Sequence, residues 1–138
     1  MFYNRNNVKT IDLTNLDTVS VTSMSRMFQD CSGLTALDLS SFDTQNVAGM
    51  GYMFRGCSGL TALDLSSFDT QKVMDMDSMF YLCGNLASLT TGQNFKFVGT
   101  NYRLDGTWQN TADETFNGNS GTANFPSNIA DTYTKISD

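Results

Sequence analysis

Few side chains in this chain could do covalent or metal chemistry, and those that could recur at one fixed spacing. Cys31, Cys57 and Cys83 stand 26 residues apart, and there is no histidine. Without histidine a serine or cysteine nucleophile lacks its usual base. Thiols so spaced match no zinc pattern. An inter-unit disulfide is conceivable in geometry, but three cysteines cannot all pair, and one shared column points to buried, reduced thiols. Asp12, Asp38 and Asp64 repeat at the same interval. A carboxylate pair can hydrolyse glycosides, yet a repeated ladder lacks the distinct surroundings that separate an acid from a base. No catalytic residue, cofactor or metal ligand is therefore assigned.

The interval is a sequence repeat. Met27 to Tyr52 and Met53 to Ser78 are identical at 19 of 26 positions. Ile11-Asp12-Leu13 aligns with Leu37-Asp38-Leu39, and Met79-Phe80 and Cys83 continue the columns before the pattern dissolves at Thr90-Thr91-Gly92. Repeats of this length signal units that bury their apolar faces only against neighbours. Leu34, Leu37, Leu39 and Phe42 have strand-like spacing, with Leu37 and Leu39 inward and Ala36, Asp38 and Ser40 outward. Val47, Met50, Met53, Phe54 and Cys57 are spaced by three and four, which predicts a short helix. Asp43 or Thr44 would cap it, and Gly49 and Gly51 would weaken it.

The expected fold is thus α/β: a leucine-rich-repeat-like solenoid of about 26-residue coils over residues 1–91, with a small β-rich C-terminal cap over 92–138. Ladders of Leu37 on Leu63, Phe42 on Phe68 and Met53 on Met79 should fill the core. In the cap, Asn94 to Leu104 and Thr132 to Ile136 read as strands, Asp105-Gly106 and Asn117-Gly118 as turns, and Pro126 as a strand end. The chain opens inside a repeat, so the reading is of a fragment of a longer array. Its uncovered first coil, with Phe2, Val8 and Ile11, would be prone to end-to-end self-association.

The formal charge is −6, from 14 acidic and 8 basic residues. Scattered basic residues argue against nucleic acid, and no apolar run approaches the ~20 residues of a membrane span. The exposed column Asp12, Asp38 and Asp64, with Ser40 and Ser66 beside it, is the candidate ligand-binding strip. It reads either as a recognition strip for a cationic partner or divalent ion, or as a solvated stripe that blunts aggregation. Mutual repulsion would raise these carboxyl pKa values and favour a cation. Asp17, Asp43 and Asp69 form a second acidic column, read as helix caps. A column of Thr18, Thr44 and Thr70 raises the alternative of an ice- or mineral-binding array.

The run LTALDLSSFDT, followed by V-x-x-M-x-x-MF and C-S-G-L, resembles the tandem repeat of bacterial surface proteins often described as BspA-like or as a domain of unknown function. The likeness covers Met1 to about Thr91. It implies a leucine-rich-repeat-like structure at the cell surface or secreted, used in adhesion to host or matrix protein or glycan. It implies no catalytic or established binding residues. The remaining alternative is a fragment of a carbohydrate-active enzyme using the aspartate ladder.

Overall fold

The computed structural model describes residues 1–138, and the apolar columns form its core. Met24, Met50 and Met76 are buried, as are Phe28, Phe54 and Phe80, and Leu13, Leu39 and Leu65. Equivalent rings of successive units lie on one another. The centroids of Phe2, Phe28, Phe54 and Phe80 are 5.5, 5.7 and 6.0 Å apart in near-parallel stacks. Phe42 stacks on Phe68 at 6.3 Å. Of the seven column methionines only Met1 is exposed, and Met74, outside the columns, is exposed too. Leu37 is only half-buried, whereas Leu39, Leu63 and Leu65 are fully enclosed.

The expected α/β leucine-rich-repeat-like solenoid is not what the chain builds. It contains no helix, and its regular structure is one open five-stranded mixed sheet. The reason lies in the backbone of the segment predicted to be helical. Met24, Arg26, Phe28 and Asp30 donate their amides to the carbonyls of Gly49, Gly51, Met53 and Arg55 in the next unit. Met50, Tyr52, Phe54 and Gly56 do the same to Asp75, Asp77, Met79 and Tyr81. The amides between them close tight turns onto the third residue back, as Met27 does to Met24 and Cys31 to Phe28. A helix needs every amide for itself. Left-handed residues at 26 and 30, at 52 and 56, and at 78 and 82 interrupt any helical run. Spacing by three and four therefore marks a chain of turns.

The strands are β1 (Ala62–Leu65), β2 (Ser88–Thr91), β3 (Thr107–Gln109), β4 (Thr115–Asn117) and β5 (Asp131–Ser137), ordered β1-β2-β5-β3-β4. Strands β1 and β2 are parallel and one repeat apart; β5 returns antiparallel between β2 and β3. The sheet thus runs from the repeats into the terminal segment. Strand β5 covers the predicted Thr132 to Ile136. Asn94 to Leu104 is not a strand: its Asn94, Asn101 and Tyr102 carbonyls receive the amides of Thr70, Ser78 and Phe80, so it covers the third unit as each unit covers the one before. Pro126 lies outside any strand.

The terminal segment packs its own aromatic cluster around Phe125, whose ring lies 4.9 to 6.2 Å from those of Tyr133, Phe97, Phe116, Tyr102 and Trp108. The Trp108 indole donates to the Leu104 carbonyl at 2.9 Å, and the Tyr102 hydroxyl accepts from the Phe125 amide. These bonds let the polar ends of both rings sit inside an apolar core. No helix is long and apolar enough to cross a membrane.

Candidate functional site

The aspartates of the predicted strip are tied down locally. Asp12 Oδ1 accepts from the Thr14 amide at 3.1 Å and the Thr14 hydroxyl at 2.7 Å. Asp38 Oδ1 accepts from the Ser40 amide at 3.0 Å and its hydroxyl at 2.6 Å. Asp64 Oδ1 accepts from the Ser66 amide at 2.9 Å. A carboxylate that bonds the amide two residues on closes an Asx turn. Asp12, Asp38, Asp64, Ser40 and Ser66 are all exposed.

Repulsion along the strip does not govern the titration of Asp12 and Asp38. The Thr14 and Ser40 hydroxyls, followed by their amides, hold the Asp12 and Asp38 carboxyls below the usual carboxylate value. Bonds to the charged form outweigh like-charge neighbours where water screens those neighbours. The expectation of raised pKa values is thereby overturned at Asp12 and Asp38. No three acidic or thiol groups converge where they could hold a metal ion.

The strip continues into a polar sheet face. Asp64 of β1 is in register with Thr90 of β2, which is in register with Thr132 of β5. Beside this row runs Ala62, Ser88, Thr134, Gln109 and Thr115, one residue from each strand in spatial order. The Thr90 and Thr132 hydroxyls lie 3.0 Å apart. At the edge, Ser66, Thr90, Asn94, Thr111 and Asp131 line an open groove of about 700 Å³ with one apolar side chain among its walls. Asp131 Oδ1 accepts from the Thr111 hydroxyl at 2.7 Å and the Thr132 amide at 2.8 Å. The Thr111 hydroxyl is the main cause of its lowered pKa, against a smaller effect of burial. This surface can offer and accept hydrogen bonds over several strands without enclosing a substrate.

Sequence reading found the Asp–Ser half of this face and missed Thr90, Thr111, Asp131 and Thr132. The alternation Thr132-Tyr133-Thr134 was the available signal, with Tyr133 buried and Thr134 exposed. What it did not carry was the partner strand, 42 residues away in the chain for the Thr90–Thr132 pair.

The remaining columns are structural. Thr18, Thr44 and Thr70 are buried. Each hydroxyl accepts an amide of the next unit and donates to a carbonyl there: Asp43 for Thr18, Asp69 for Thr44 and Lys96 for Thr70. The threonine column therefore presents no face to ice or mineral. Asp17, Asp43 and Asp69 receive the amides of Val19, Gln45 and Gln71, so they cap turns, there being no helices to cap. The three thiols are free and buried. Each donates to the unit before it: Cys31 to the Phe2 carbonyl at 2.8 Å, Cys57 to Phe28 and Cys83 to Phe54, both at 3.0 Å. Burial pushes all three pKa values up, Cys83 to about 12.

A family model described as "Mycoplasma protein of unknown function, DUF285" matches residues 1–120. That description names neither a BspA-like nor a leucine-rich-repeat family. No curated protein and no solved structure matches the chain.

Proposed function

The chain belongs to that family, and from this premise we propose that it is an extracellular, non-enzymatic adhesion or ligand-binding module of a bacterial surface protein. In this reading it stands at the cell surface or is secreted, and it holds a host or matrix protein or a glycan. The finer likeness to BspA-like surface repeats is part of the proposal and rests on the LTALDLSSFDT columns.

The observation that carries the reading is the in-register polar face from Asp64 through Thr90 to Thr132. Its side chains are fixed by Asx turns and strand pairing, so little conformational entropy is lost when a ligand docks. Hydroxyls and carboxylates spread over a sheet suit a partner that brings many hydrogen-bonding groups of its own.

The rival of a carbohydrate-active enzyme asks for one carboxyl raised enough to act as an acid. Asp12 and Asp38 are both shifted the other way. An array of glycans and matrix proteins, with a hydrolysis assay on every hit, tests the proposal. It expects a retained ligand that is not turned over. Turnover that vanishes in Asp38→Asn would replace it with the enzyme reading.

A further inference from the structure

The polar groove lies where the repeat columns change chemistry. Thr90 stands in the column of Asp12, Asp38 and Asp64, and Gly92 in that of Thr14, Ser40 and Ser66. A Cβ on Gly92 would lie 2.3 Å from the Ser66 carbonyl oxygen. The close approach of the two main chains therefore keeps position 92 bare. The groove crosses the ends of the strands, just past Leu65 of β1 and at Thr91 of β2 and Asp131 of β5.

Its walls serve several kinds of ligand badly. An added peptide strand needs a row of free amides and carbonyls along a lateral sheet edge, and strand ends offer no such row. Side chains that anchor a protein interface need an apolar pocket, and Ala130 is the one apolar wall residue. An anionic ligand would meet Asp131 with no lysine or arginine in the lining, on a chain of net charge −6.

What the groove does offer is unengaged polar groups of both senses. The Ser40 hydroxyl bonds Asp38, whereas Ser66 bonds Asp64 through its amide only, which leaves its hydroxyl free. Asn94 gives its main-chain carbonyl to Thr70 and Gln71, and its side-chain amide, like that of Gln93, is exposed and unbonded. Asp131 engages Oδ1 with the Thr111 hydroxyl and the Thr132 amide, which leaves Oδ2 free to accept. An ammonium group could use only the acceptors among these. A sugar hydroxyl donates one bond and accepts two, so it uses the whole set.

We propose that the groove is a subsite for a neutral oligosaccharide. Asp131 accepts from one sugar hydroxyl, and the Asn94 and Gln93 amides and the Ser66 hydroxyl take its neighbours. The inference rests on the reading of the polar face as a binding surface, and it narrows the ligand there to an uncharged sugar.

An array of neutral, sialylated and sulfated oligosaccharides, printed beside matrix proteins and lysine-rich peptides, tests this on the intact chain. Neutral glycans are expected to be retained and acidic ones not. Retention should be unchanged in 1 M salt, where the screening length is about 3 Å. The strongest neutral hit, titrated by NMR, should shift Ser66, Asn94 and Asp131. Asn94→Ala breaks no side-chain bond within the chain and should weaken that hit about fivefold. Asp131→Asn keeps an oxygen for Thr111 and Thr132 and should weaken it about tenfold. Should Asp131→Asn fail to fold by circular dichroism, Asn94→Ala decides alone. Retention of charged glycans only, binding that salt abolishes, shifts away from the groove, or affinity indifferent to Asn94→Ala overturns the proposal. A matrix protein or peptide held on the polar face with no neutral glycan retained overturns it too, but leaves the proposed function standing. Retention of nothing on the array overturns both.

Discussion

Thr44→Val removes one hydroxyl from between two units and replaces it with a methyl of similar size. In the native chain the Asp69 amide donates to Thr44 Oγ1 at 2.8 Å, and the hydroxyl donates to the Asp69 carbonyl at 2.9 Å. Neither Asp69 group has another main-chain partner, and Thr44 is 1 % exposed. Each lost bond is worth about 1 kcal/mol net, and stranding half-buried partners adds a fraction more. The expected loss is about 2–3 kcal/mol. Thr44→Ser keeps both bonds and gives up one buried methyl, a loss of about 1 kcal/mol. At roughly 3 °C per kcal/mol for a chain this long, valine should lower the melting temperature by about 6–9 °C and serine by about 3 °C. Calorimetry or a denaturant titration reads both. Were Thr44→Val as stable as the parent, or more stable than Thr44→Ser, the hydroxyl would not be holding the units together. The reasoning for Thr18 and Thr70 would fall with it.

Gly59→Ala places a Cβ 2.5 Å from the Leu34 carbonyl oxygen and 2.7 Å from that of Ser32; main-chain atoms cannot swing aside, so a loss of about 1–3 kcal/mol is expected in chemical denaturation. Gly84→Ala, with nothing within 4 Å of the new carbon, is the matched control and should be within about 0.5 kcal/mol of the parent. The Asp38 carboxyl titrates below its ordinary 3.8 because the Ser40 hydroxyl bonds its charged form. That contribution is present above pH 3.8 and disappears as pH falls through the folded-state value. Ser40→Ala should move the carboxyl upward toward 3.8 in an NMR titration. Cys31, Cys57 and Cys83 should resist a thiol reagent at pH 8 in the native protein and react fully in denaturant, since burial disfavours all three thiolates.

The repeat made much of the core legible. Identical columns had to meet, so stacked phenylalanines and buried methionines follow from the 26-residue interval, and outward Asp38 from the alternation through Leu37 and Leu39. The helix did not follow, because apolar spacing by three and four is shared by helices and by turns whose amides bond a neighbouring unit. What separates the two is the left-handed backbone at Arg26, Tyr52 and Ser78, and those residue types do not announce it. The threonine column was visible as a column, but its burial depended on a hydroxyl satisfied within the next unit. The polar face was half legible. Asp38 and Ser40 lie close in sequence, whereas Thr90 meets Thr132 only because β5 inserts between β2 and β3. Long-range antiparallel pairing of short strands leaves little local trace.

The central claim is that a ligand docks on the polar face. An NMR titration of the labelled chain with the strongest ligand from the glycan and matrix-protein array tests it most directly. The account predicts shifts concentrated at Asp38, Ser40, Asp64, Ser66, Thr90 and Thr132, with binding lost in a Thr90→Val/Thr132→Val double variant that still folds. Shifts confined to other surfaces, or full binding by that variant, would contradict it.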